Sequence, residues 1–95
     1  MGKKIKQIDQ LKNEFIDRLK KRGASDKMIH EYTGGQCNSF DYYKDISCAI
    51  NGVYYGCTFM LSKKRKVFRF NYGLEGIAEG HAFSVKEFRK ILNLI

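Results

Sequence analysis

An α+β domain is the fold class this chain predicts. Its expected layout is two layers: N-terminal helices, a three-stranded antiparallel meander, and a C-terminal helix packed on one sheet face. Three observations lead there. Apolar residues recur at helical spacing over 5–22; turn signals at Asn51-Gly52 and at residues 63–66 bring three β-rich segments into one register; and a capping box opens an amphipathic segment at Ser84. Ninety-five residues suffice for one core, since separate cores usually need about 100 residues or more each. The expected organisation is a single domain over 1–95, with a helical part at 1–35, the sheet at 41–72 and the last helix at 84–95.

In the first helix, Ile5, Ile8, Leu11, Phe15, Ile16 and Leu19 form the apolar stripe, and lysines and acids occupy the remaining faces. Glu14 with Arg18 and Asp17 with Lys21 stand in the favourable i,i+4 order. The cationic end Lys20-Lys21-Arg22 suits a helix C-terminus, and Gly23 supplies the stop. Ser25 or Asp26 is placed to cap a second, shorter helix carrying Met28, Ile29 and Tyr32, closed by Gly34-Gly35. Residues 34–40 read as a loop.

The pair Asn51-Gly52 favours a two-residue type I′ hairpin turn. That turn sets Ile50 opposite Val53, Cys48 opposite Tyr55, Ile46 opposite Cys57 and Tyr42 opposite Leu61. The second turn sets Leu61 opposite Phe68, Phe59 opposite Phe70 and Cys57 opposite Tyr72. Both turns place apolar residues on one face, and a slip of one residue would turn every side chain over. Ser47, Ala49, Tyr54, Gly56, Thr58, Met60, Arg69 and Asn71 fall on the other face, expected to meet water or a partner. The glycine-punctuated segment 73–80 reads as either a loop or a short edge strand. Ser84 with Glu87 forms the capping box, Phe83 and Phe88 stand at hydrophobic-staple positions, and Val85, Phe88, Ile91, Leu92 and Ile95 line the final helix.

Eighteen Lys and Arg against ten Asp and Glu give a formal charge of +8, and 43% hydrophobic with 14% aromatic residues is too apolar for a disordered basic tail. With no proline, polyproline recognition motifs are excluded. The basic start runs into an amphipathic segment, so no secretory signal is expected, and no apolar run approaches the roughly 20 residues of a membrane span. A cytoplasmic location is the expectation. Cys37, Cys48 and Cys57 are an odd set in a short chain, which points to reduced thiols. Cys48 and Cys57 share a face at diagonal positions, about 7–8 Å apart and too distant for an easy disulfide. Without a C-x-x-C or H-x-x-x-H knuckle, His30, Cys37 and His81 do not organise a zinc site, and no metal or cofactor is expected. Glu75, Glu79 and His81 lie close in sequence and could serve proton transfer or metal binding, but the plain reading is a solvated loop. No catalytic residues are assigned and an enzyme is not expected.

The densest charge feature is Lys63, Lys64, Arg65 and Lys66, followed by Arg69. Such a hairpin tip suits a phosphate backbone, with Tyr54, Arg69 and Asn71 on the open face positioned for bases or ribose. The plain alternative is a solvated tip whose lysines discourage edge pairing. Further cations are spread along the helices: Lys3, Lys4, Lys6, Lys20, Lys21, Arg22 and Lys27, then Lys86, Arg89 and Lys90. Either side of Gln36 there are nine basic and five acidic residues, +4 each. The helix, three strands, helix order resembles double-stranded-RNA-binding domains, although Lys86 beside Glu87 is the whole of the basic cluster at the last helix. Residues 42–95 resemble in topology the sheet-reading DNA-binding domains of some integrases and AP2-type regulators. The segment Lys66-Val67-Phe68-Arg69-Phe70 lacks the glycine of the RRM pattern. The function expected is a small nucleic-acid-binding domain. The alternative is a non-enzymatic interaction module, such as a phage- or mobile-element-encoded inhibitor or adaptor, binding an acidic surface of a partner protein.

Overall fold

A computed structural model describes residues 2–34 and 38–95. Helix α1 (Gly2–Lys21) is followed by strands β1 (His30–Thr33), β2 (Phe40–Ile50), β3 (Val53–Ser62), β4 (Phe68–Leu74) and β5 (Ala78–Ala82), and by helix α2 (Val85–Leu92). The strands form one antiparallel sheet in the order β1-β2-β3-β4-β5, so the expected α+β class holds but the sheet has five strands rather than three.

The two added strands correct one expectation and decide between the two readings of another. Residues 30–33, assigned above to a short helix, pair with β2 from His30 opposite Ser47 to Thr33 opposite Lys44, and Gly34 N–H continues the ladder to the Tyr43 carbonyl. A helix of about two turns is marginal by itself, whereas the free edge of β2 offers a ready set of backbone partners. The helical part therefore ends at α1 and a turn at 26–28. Of the two readings of segment 73–80, the short edge strand holds for its end: β4 runs on through Leu74, a turn passes over Gly76, and β5 extends the edge. A five-stranded sheet also departs from the helix, three strands, helix order on which the double-stranded-RNA-binding resemblance rests.

The central register follows the sequence reading. Ile46 faces Cys57, Cys48 faces Tyr55, Phe59 faces Phe70 and Leu61 faces Phe68. Asn51 and Gly52 both have positive φ, 52° and 79°, as a type I′ turn requires. Both helices lie on one side, where Ile8, Leu11, Phe15 and Leu19 of α1 and Phe88 and Leu92 of α2 close over Ile46, Cys57, Phe59, Leu61 and Phe70. Phe59 is the hub: its ring meets Phe15 at 5.8 Å, Phe70 at 5.8 Å and Phe88 at 5.3 Å, while Phe70 stacks on Phe88 at 4.4 Å. One side chain thus joins four elements. Across the helix layer, Arg89 grips both carboxylate oxygens of Glu14, so Glu14 serves a bridge between helices where helical spacing alone pointed to Arg18. Among the described residues no helix is long and apolar enough to cross a membrane.

Candidate functional site

The connection between β3 and β4, residues 63–67, is closed by backbone and hydroxyl bonds. Ser62 N–H donates to the Val67 carbonyl, Val67 N–H to Ser62 Oγ and Lys66 N–H to the Ser62 carbonyl, each at 3.0 Å. Lys63 N–H reaches back to the Ser39 carbonyl at 2.9 Å, fastening the tip to the start of β2. Lys63, Lys64 and Arg65 are exposed. Lys66 differs: its ammonium is ion-paired with Asp41, whose side chain is only 9% exposed, so this lysine serves the local fold as well as the charge.

The first turn of α1 lies against the same tip. Lys4 Nζ donates to the Lys66 carbonyl at 2.6 Å and lies 5.8 Å from the Phe68 ring centroid. Lys3, Lys4, Asp41, Leu61 and Lys66 line a cleft of about 320 Å³. Two cationic sets some sixty positions apart in sequence are thereby joined. Lys3, Lys4 and Lys66 line this cleft with Asp41, and Lys63, Lys64 and Arg65 stand exposed in the adjoining turn. Alternation along strands could not reveal this, because it depends on which end of the sheet α1 starts from. No acidic residue stands in the first turn of α1, and the helix dipole adds positive potential at that same end.

From this end a patch extends onto the sheet face away from the helices. Arg69 Nε donates to Asn71 Oδ1 at 3.0 Å, and His81 Nδ1 shares that oxygen from the neighbouring strand. The Arg69 guanidinium lies 5.9 Å from the centroid of Phe83, and the His81 and Phe83 rings are 6.5 Å apart. Phe83 is 53% exposed. Its expected partnership with Phe88 is not what holds it, since Phe88 is wholly buried in the ring cluster and Phe83 turns to the opposite side of the sheet. Half of the capping box forms, with Glu87 N–H donating to Ser84 Oγ, while the Glu87 carboxylate accepts from the N–H of Phe83, one residue before the cap. The sequence marks His81 only as a proton-transfer or metal-binding candidate and Phe83 only as a staple residue, because their shared face is legible only once β5 is known to be a strand.

Tyr54 does not join the patch. It lies opposite Ala49, while Arg69 lies opposite Met60, six positions along β3 and thus about 20 Å away. The Tyr54 ring lies over Gly56, where an added Cβ would collide with it, and its backbone N–H donates to Glu75 Oε1 at 2.8 Å. With Gly73, Glu75 and Glu79 it lines a groove of about 590 Å³, where two carboxylates disfavour phosphate. Glu75 and Glu79 therefore lie at the end of the sheet away from the basic tip, an end that Arg22 also reaches through Tyr55 Oη.

Among the described residues no group of three His, Cys, Asp or Glu side chains is close enough to hold a metal, so Glu75, Glu79 and His81 are not gathered. Cys48 and Cys57 are buried free thiols at the expected diagonal positions. Burial pushes both thiols above their ordinary value, and Asp45 adds to this at Cys57. Cys37 lies outside the described residues. No family model, no curated protein and no solved structure matches the chain.

Proposed function

We propose that this protein is a non-enzymatic nucleic-acid-binding domain that takes the phosphate backbone on its basic end and reaches bases or ribose with Arg69 and Asn71. The observation that carries this reading is the placement of Lys3 and Lys4 of α1 against the β3–β4 turn that holds Lys63, Lys64 and Arg65. Clustered cations release the counterions condensed on a nucleic acid, and this effect supplies most of non-specific affinity. Arg69 and Phe83, exposed beside the cluster on a face whose Met60 is buried, support access to bases.

Fluorescence polarisation of a labelled oligonucleotide across a salt series tests the reading. Affinity is expected to fall linearly on a log–log scale. Replacing Lys63, Lys64 and Arg65 by Gln should flatten the slope by about 0.7–0.9 for each phosphate that is no longer neutralised. Lys66 is left in place because its Asp41 partner would confound the result. Absence of binding at low salt overturns the proposal. Tyr32 and Tyr54, 65% and 48% exposed, favour a second reading, in which the chain docks on an acidic surface of a partner protein, since exposed tyrosines are common anchors of interfaces. Stoichiometric, nuclease-insensitive capture of one acidic protein would select it.

A further inference from the structure

We infer that the nucleic acid bound here is single-stranded, with a base stacked on the exposed ring of Phe83 beside Arg69 and His81. This rests on the reading of the basic end as a phosphate site, and it names which nucleic acid that site takes. Three planar groups meet on one solvent-facing patch: the Phe83 ring, the Arg69 guanidinium 5.9 Å from its centroid, and the His81 imidazole 6.5 Å away. Asn71 holds two of them, because its Oδ1 accepts from both Arg69 Nε and His81 Nδ1. That use of the oxygen leaves the Asn71 amide nitrogen as its donor to a ligand.

An exposed phenylalanine anchored in this way contributes nothing to the core. Phe83 lies on the side opposite both helices, and the described chain lays no segment over it. What such a ring can recognise is the flat face of a base, and bases offer their faces only when they are out of the duplex stack. A duplex presents edges in its grooves, which a ring does not read by hydrogen bonding. The charges agree with this path. Arg69 follows Lys66 by three positions, about 10 Å of strand, so a backbone neutralised at the tip delivers its next base to the Phe83 patch. Further along, Glu75 and Glu79 discourage a phosphate, so the strand should leave the face near Asn71 without reaching Tyr54.

The chain has no tryptophan, which makes Phe83→Trp a single-tryptophan reporter. Its fluorescence is expected to be quenched by a short oligodeoxythymidylate and left unchanged by a blunt DNA duplex. Phe83→Ala and Phe83→Leu are expected to weaken single-strand binding about tenfold without altering the salt slope, and Phe83→Tyr to retain it. Because the side chain is exposed, all of these variants should melt near the parent temperature. Equal affinity for single strand and duplex, or unchanged single-strand affinity in Phe83→Ala, overturns the stacking inference while leaving the phosphate reading to stand on its salt dependence. Failure of both nucleic acids to bind at low salt, or capture of a protein partner in their place, overturns both.

Discussion

Single residues set the stability of this domain through Phe59, whose ring touches α1, β4 and α2 at once. Phe59→Ala is expected to cost about 3–5 kcal/mol in denaturant unfolding, a large part of the roughly 5–15 typical of a small domain. A second residue-scale expectation concerns acid. Tyr42 Oη donates to Asp9 at 2.7 Å and is the chief reason the Asp9 carboxyl lies below its ordinary value of 3.8; burial opposes this, and Lys12 and Lys44 add to it. A carboxyl depressed in the folded chain stabilises it above the unfolded value, and that stabilisation is lost as pH falls from 3.8 through the lower folded value. Tyr42→Phe should therefore be less stable than the parent by about 1 kcal/mol at neutral pH. The difference should shrink in unfolding curves taken below that range. Both interactions rest on partners that the sequence could name only in part. The cross-strand partner of Phe59 was legible from turn register, but Phe15 and Phe88 reach it by helix placement, and Asp9 to Tyr42 is a helix-to-strand bond with no periodic signature.

At the scale of elements, β2, β3 and most of β4 were legible because Asn51-Gly52 and the basic turn fixed two registers that agreed on one apolar face. Of the edge strands, β1 was not legible, and β5 was one of two readings of its segment. In β1 all four residues are exposed, so no alternation marks it, and in β5 the small residues Ala78, Gly80 and Ala82 carry little strand signal. The edge strand β5 then carries His81 into the patch and leads directly to Phe83, which is why half of the candidate site escaped the sequence. Two element-scale expectations follow from the geometry. Ser84→Ala removes the acceptor for Glu87 N–H at the start of α2 and should cost about 1 kcal/mol in thermal or chemical unfolding. Lys66→Ala leaves the nearly buried Asp41 carboxylate without its ammonium partner and should cost about 1–3 kcal/mol, whereas Lys64→Ala at the exposed tip should leave stability unchanged.

Across the whole molecule, the +8 charge is evenly divided along the sequence. Lys3, Lys4 and Lys66 line one cleft where α1 starts beside the β3–β4 turn, and Glu75 and Glu79 lie beside Tyr54 at the other end of the sheet. The tip was visible in the sequence as a run, but its union with Lys3 and Lys4 was not, because the direction in which a helix crosses a sheet leaves no trace in composition. The separation of Tyr54 from Arg69 and Asn71 has the same kind of origin: residues on one face can still lie at opposite ends of it. The most direct test of the basic end as the binding site is an amide chemical-shift titration of the isotopically labelled protein with a short oligodeoxynucleotide at low salt. The expected result is progressive shifts at Lys3, Lys4, Lys63, Lys64, Arg65 and Arg69, with Tyr54, Glu75 and Glu79 unmoved. Shifts centred on the Tyr54 groove, or none anywhere in the chain, would contradict it.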